Sequence, residues 1–263
     1  AGSGGTTRRR PDGRGRLMLA VSGLEVGYAG RSALNGVDLE VGDAETVAVL
    51  GPNGAGKTTL ARAITGVVRP RAGSIIFDGA RLDQLSPKAI VRAGVVGVPQ
   101  GRRIFAGLTV LDNLRVGAST RGRRAAADVD WALGLFPGLR DQAYRPAGAL
   151  PAGEQQVLAL ARALVSRPKL LVVDEISAGV SPALAVQLFD VLRGLSLAGT
   201  GLLIIDQFVN LALGLADRAI VIENGRVSLS SEPARLASAD VSWQSTHPGG
   251  GDASAKRTKG APE

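Results

Sequence analysis

The chain has 263 residues, 45% of them apolar, a net charge of +8 and no cysteine. Its length allows one substantial domain, or a large domain with a smaller one attached, and the missing cysteine excludes disulfides and thiolate metal sites and fits a reducing compartment, most simply the cytoplasm. No apolar run nears the roughly 18 residues needed to cross a bilayer, and an aromatic share of 3% argues against a base-stacking nucleic-acid surface.

Residues 1–16 crowd Arg8, Arg9, Arg10, Arg14 and Arg16 among glycine and proline, with no apolar stretch after the charges, and so read as a basic tail rather than a secretory signal. Residues 241–263 form a second tail holding Lys256, Arg257 and Lys259. Such segments bury too little apolar surface to offset ordering entropy, so both are expected to be disordered. Contact with anionic lipid or nucleic acid is the alternative; no specific nucleic-acid partner is expected. One ordered domain is expected over 17–240. Its first stretches, 17–26 and 33–41, mix alternation with apolar runs around turn residues, as an antiparallel pair does. The apolar run 46–50 ends in a glycine-rich loop, and 57–66 reads as a helix with Gly66 near its C-terminal cap. A short strand at 74–77 meets the turn Asp78-Gly79. From 87 to 148 the pattern becomes helical, with Gly- and Arg-rich breaks such as 121–124. Apolar runs at 170–174 and 202–206 end in acids and alternate with helical patterns at 154–166 and 183–197, the signature of a parallel sheet covered on both faces. Residues 220–229 read as a hairpin turning at Asn224-Gly225.

The stretch Gly51-Pro52-Asn53-Gly54-Ala55-Gly56-Lys57-Thr58 matches G-x-x-x-x-G-K-[ST] completely, between a strand and a helix. Glycines let successive backbone N–H groups turn inward around phosphate oxygens, and the following helix points its positive end at the same anion. Lys57 supplies a mobile charge for β- and γ-phosphates, and the Thr58 hydroxyl suits Mg²⁺. The second acidic site is the run 170–175. Four apolar residues carry the chain through the sheet, so Asp174 emerges at a strand's C-terminal end, where ligands bind in open α/β folds. There it suits the Mg²⁺ water shell, and Glu175 is placed to orient or deprotonate an attacking water. The expected fold is therefore α/β: a P-loop nucleoside triphosphatase core with a mostly parallel sheet, an antiparallel β subdomain and a helical subdomain over about 89–148.

With these motifs in place, the chain resembles an ABC-type ATPase over nearly all of 17–239. Four further stretches carry the likeness. Val26-Gly27-Tyr28 matches the site of an aromatic that stacks on adenine, a core tyrosine being the alternative. Residues 98–105, Val-Pro-Gln-Gly-Arg-Arg-Ile-Phe, resemble the family's Q-loop, which implies that Gln100 reaches Mg²⁺ and the water. Leu150-Pro151-Ala152-Gly153-Glu154-Gln155-Gln156 occupies the place of the signature L-S-G-G-[QE], and residues 177–182 that of the D-loop. Thr59 belongs to the implied nucleotide-binding set together with Tyr28 and 51–58.

The wording of 101–114, Gly153-Glu154-Gln155-Gln156 and Asp206-Gln207 is similar to ATPase subunits of branched-chain amino-acid importers, whose near branch handles urea and short amides. That resemblance implies ATP and Mg²⁺ as ligands. It also implies a second ABC ATPase subunit closing head to tail on two ATP molecules, in a homo- or heterodimer. A membrane permease would be touched by the helical segment, a solute-binding protein would act indirectly, and the chain would sit on the inner face of the cell membrane through the permease.

Several positions depart from the family's pattern. Pro151 and Ala152 replace the signature serine and first glycine, which in the family hold the γ-phosphate of ATP on the other subunit. Proline removes a hydroxyl and a backbone N–H together, a loss of roughly 1.5–3 kcal/mol where the acceptor is charged. Ile176 replaces the proline after Asp-Glu, and Gly179-Val180-Ser181 lacks the D-loop aspartate. Gln207 stands at the switch position where many relatives have histidine, and the chain's one histidine, His247, lies in the tail. Gln207 can donate a hydrogen bond to a phosphate but cannot act as acid or base, which leaves the chemistry to Glu175. Two versions follow: an active ATPase tolerant of its signature, or a weakened subunit paired with a normal partner. A non-transport regulatory ABC protein is a rival, though those usually carry two phosphate loops in one chain. A kinase or GTPase is another, but it leaves the Gly153-Glu154-Gln155-Gln156 helix unexplained.

Overall fold

A computed structural model describes residues 16–238. The expected tails, apart from Arg16, and His247 lie outside the described residues. Arg16, assigned above to the tail, is instead bound at the edge of the first hairpin. Its carbonyl accepts the Asp43 N–H at 2.9 Å, and its guanidinium meets Asp78 at 3.1 Å.

The chain opens with β1 (Leu17–Tyr28), β2 (Arg31–Gly42) and β3 (Thr46–Leu50), followed by helix α1 (Lys57–Ile64). β4 (Ala72–Phe77), β5 (Ala80–Arg81), α2 (Pro87–Ala93) and β6 (Val95–Val98) come next. Helices α3 (Val110–Gly117), α4 (Ala125–Leu135), α5 (Pro137–Arg140) and α6 (Ala152–Leu164) lead to β7 (Leu170–Asp174). The rest is α7 (Pro182–Leu197), β8 (Gly201–Ile205), α8 (Val209–Leu215), β9 (Arg218–Glu223), β10 (Arg226–Ser231) and α9 (Pro233–Ser238).

Two sheets form. β2-β1-β4-β5 is antiparallel throughout, and β10-β9-β3-β8-β7-β6 is parallel except for its edge strand β10. Val95–Val98, inside the stretch read as helical, is the far edge strand of the second sheet. Four residues with a glycine among three valines are too few to show a period, and pairing with β7 decides the matter.

β3, β7 and β8 are buried at every position. Their side chains alternate between two cores, as the strand period of two requires. Val47, Val49, Leu170, Val172, Leu203 and Ile205 face α1 and the antiparallel sheet, whereas Ala48, Leu50, Leu171, Val173, Leu202 and Ile204 face α3, α4, α6, α7 and α8. Each buried Val, Leu or Ile contributes about 1.5–3 kcal/mol, so this central layer supplies a large share of the apolar burial that holds the described residues together.

Helix ends follow local chemistry. Thr109 caps α3 and Ser86 caps α2 through side-chain oxygens, and Ser181 does the same for α7, while Pro87 and Pro182 each sit in a first turn where a missing N–H is harmless. The helices after the Gln100 loop are tied to the core by Asp128. This buried carboxylate accepts from Arg121 at 2.7 Å and Arg167 at 2.9 Å, and the Arg167 guanidinium lies 3.4 Å from the Trp131 ring centroid.

Candidate functional site

All parallel strands but one deliver a predicted site residue to the same edge of the sheet. β3 runs into the loop 51–56, β6 into Gln100, β7 into Asp174 and Glu175, and β8 into Asp206 and Gln207. The carboxyl edge of a parallel sheet is where open α/β folds bind ligands.

The loop is a backbone cradle. Gly51, Gly54 and Gly56 have φ of 138, 78 and 110°. A Cβ on Gly51 would sit 2.1 Å from the Ile222 oxygen, and one on Gly56 2.6 Å from the Ala33 oxygen. The β9–β10 turn braces the loop, with the Gly225 N–H donating to the Ala55 carbonyl at 3.0 Å. Asn53 and Gly54 are exposed at its tip, Ala55 is buried, and the Ala55 N–H closes a turn onto the Pro52 carbonyl.

Lys57 Nζ donates to the Gly51 and Pro52 carbonyls at 2.7 and 2.9 Å, folding back over the loop. Burial holds its ammonium below the ordinary lysine value, opposed by the charges of Glu175 and Asp174. Thr58 Oγ1 donates to Asp174 Oδ1 at 3.2 Å, while the Thr59 side chain is buried in α1. Asp174 is only 3% exposed, and burial, helped by Glu175, raises its carboxyl above the usual range despite the Thr58 hydrogen bond and the Arg62 and Lys57 charges. A hydroxyl and a buried, incompletely neutralised carboxylate are hard oxygen donors of the kind Mg²⁺ takes, so these residues fit the ion the family implies.

Glu175 stands in a left-handed backbone, φ 52°, a conformation that costs of order 1 kcal/mol. Its N–H donates to the Ile205 carbonyl at 2.7 Å. Oε2 of Glu175 accepts from both Gln100 Nε2 and Gln207 Nε2, the latter at 3.2 Å. Two glutamines from the loops that follow separate strands, β6 and β8, thus converge on one carboxylate.

Sequence reasoning missed what fixes this arrangement. Buried Asp206 accepts from the Ser177 hydroxyl, from the Ser177 N–H at 3.1 Å and from the Phe208 N–H at 2.9 Å. It therefore ties the turn after Glu175 to the turn after Gln207. The available signals were an apolar strand ending in an acid and the pair Asp206-Gln207 in the family resemblance, and neither points to Ser177 as a partner.

Tyr28 closes β1 at 41% exposure, so it is not a core residue. Ile176 is fully buried and packs into the helical-side core. Residues 151–154 stand apart: among the described residues no hydrogen bond joins them to the phosphate loop. Pro151 precedes α6 with φ −53 and ψ 152° and gives it no side-chain cap. Ala152 starts the helix, Gly153 packs so tightly that a Cβ would lie 2.6 Å from Leu184 Cδ2, and Glu154 accepts from Gln142 at 2.7 Å.

Fold and loop together define a P-loop nucleoside triphosphatase. The family profile described as ABC transporter matches residues 34–178. The high-affinity branched-chain amino acid transport ATP-binding protein BraG of Pseudomonas aeruginosa is 40% identical over 220 residues, 83% of this chain and 94% of that protein. A probable branched-chain amino acid transport ATP-binding protein, LivF of Archaeoglobus fulgidus, is 36% identical over 215 residues, 81% of this chain and 91% of its own. Among solved structures, the ADP conformation of an ATP-binding cassette of an ABC transporter aligns with TM-score 0.75 at 26% identity, over 88% of this chain and 99% of that one. A nucleotide-free cassette aligns at 0.74 and 26%, over 84% and 94%. The chain belongs to the ABC transporter ATP-binding family and is an ATPase of that family. Among the described residues no helix is long and apolar enough to cross a membrane.

Proposed function

We propose that this chain hydrolyses ATP to power uptake of branched-chain amino acids, or a related small solute, through a membrane permease. The observation that carries the ATPase chemistry is the convergence of Lys57, Thr58, Asp174, Glu175, Gln100 and Gln207 at one sheet edge. The solute class is supported by the names of the relatives.

In this reading, the loop amides of 51–56 and Lys57 hold the β- and γ-phosphates of ATP, with Thr59 behind them and Tyr28 against the adenine. Thr58, Asp174 and Gln100 hold Mg²⁺, which neutralises developing phosphate charge when bound. Glu175 receives the proton of the attacking water, and Gln100 and Gln207 hold its carboxylate in place as neutral amide donors. A second ABC ATPase subunit closes over the nucleotide, and 151–154 face the partner's ATP. The chain works on the inner face of the membrane, docked on the permease, with a solute-binding protein delivering substrate from outside.

A second reading is favoured by Pro151, whose position lacks both a hydroxyl and a backbone N–H. The chain would then be the weakened half of an asymmetric pair. One experiment separates the two: Mg²⁺-dependent hydrolysis by the full chain beside Lys57→Ala, Glu175→Gln and Pro151→Ser/Ala152→Gly. Turnover by the natural chain, lost in the first two variants, supports the working motor. Turnover only with the restored signature supports the asymmetric pair. Hydrolysis that survives Lys57→Ala and Glu175→Gln refutes both.

A further inference from the structure

We infer that Arg162, on α6, is a positioning residue for hydrolysis: it clamps the loop that places Gln100 against Glu175. The inference rests on the roles proposed above for Gln100 and Glu175. After β6 the chain passes through Gly101, Arg102 and Arg103 with φ of 83, 64 and 49°. Three successive left-handed residues, two of them with side chains, form a conformation the local sequence does not favour. It persists only where the surroundings hold it.

Two contacts supply that hold. Arg162 Nη2 donates to the Arg103 carbonyl at 2.6 Å, and its guanidinium lies 5.0 Å from the Phe105 ring centroid. Asn113 then grips the Phe105 backbone at both ends, accepting from its N–H at 2.9 Å and donating to its carbonyl at 3.0 Å. The Arg162 stem is itself held against α3, where a Cβ on Gly117 would sit 2.9 Å from Arg162 Cγ.

Stability alone does not account for an arginine here. Among the described residues its Nη1 is buried without a hydrogen-bond partner, and an unpaired buried donor is costly. A methionine would fill the same space without that cost. What it would lack is the donor to Arg103, so the bond to the loop is what the position gains. α6 begins at the altered signature, so the same helix joins that element to the Gln100 loop.

The test uses the full-length chain with Arg162→Met, Arg162→Lys and Arg162→Met/Arg103→Gly, read by ATP hydrolysis and by native-state tryptic cleavage. Losing a charge-assisted bond predicts a fall in kcat of about tenfold or more for Arg162→Met, with KM for ATP changed far less. Trypsin should cut after Arg102 and Arg103 about tenfold faster, with its other sites unaffected. Arg162→Lys keeps the charge without the fork and should fall between. Glycine reaches a left-handed φ without steric strain but is not fixed there, so adding Arg103→Gly should recover only part of the lost turnover. Cleavage that rises equally at every site, or turnover and cleavage after Arg102 and Arg103 both unchanged in Arg162→Met, would overturn the clamp. Hydrolysis that survives Gln100→Ala and Glu175→Gln would instead defeat the proposed function, and the tryptic pattern would still decide whether Arg162 holds the loop.

Discussion

Alanine at Gly51 and at Gly54 should have very different effects, although both are loop glycines with positive φ. At Gly54, φ is 78° and a Cβ meets none of the described residues within 4 Å, so the cost is the left-handed conformation alone, about 1–2 kcal/mol. At Gly51, φ is 138° and the new carbon would lie 2.1 Å from the Ile222 oxygen. That conformation costs about 1–3 kcal/mol for a residue with a side chain, and forcing β9 aside adds about 1–3 kcal/mol more. Gly51→Ala should therefore lose roughly 2–6 kcal/mol, a large part of the 5–15 kcal/mol that holds a typical domain. In a chain of this size the excess over Gly54→Ala corresponds to a Tm lower by several degrees, at about 2–4 °C per kcal/mol. Urea unfolding gives the two free energies, and ATP binding should fall further for Gly51→Ala because the loop must move away from β9. Equal Cm values for the two variants would refute the close-approach reasoning.

Changes at three other residues have expected outcomes. Burial raises the Asp174 carboxyl, so the folded state binds that proton more tightly than the unfolded chain. Its contribution to stability is then lost as pH rises from the usual carboxylate range through the raised folded value; Asp174→Asn should flatten this slope in a pH series of unfolding midpoints and abolish Mg²⁺-dependent hydrolysis. Burial alone would raise Asp128, but hydrogen bonds from Arg121 and Arg167 hold it below the carboxylate range, so its stabilisation is lost as pH falls. Asp128→Ala should cost about 2 kcal/mol by urea unfolding, less than the 3–5 kcal/mol of a fully buried pair because both arginines reach solvent. Gln207→Ala should lower kcat up to about tenfold by removing one donor from Glu175, and Gln207→His should add a titration near pH 6.5 to the hydrolysis profile of a site whose described residues contain no histidine.

The sequence alone determined the elements whose chemistry is local. The 51–58 loop needs only its own glycines, Lys57 and the neighbouring strand and helix, and it reads directly. Apolar runs ending in acids placed β7 and β8 correctly for the same reason, since complete burial leaves an unbroken apolar signature. Asn224-Gly225 and Asp78-Gly79 marked their turns because few residues accept positive φ. Only the tertiary structure decided the rest. β6 is a strand because β7 lies beside it. Gln100 and Gln207 share one oxygen of Glu175 because three strands end at the same height. Asp206 and Arg162 work through partners 29 and 59 residues away along the chain, and no local pattern encodes a partner at that distance. What a residue is can be read along the chain; what it holds in place depends on which segments the sheet and cores bring together.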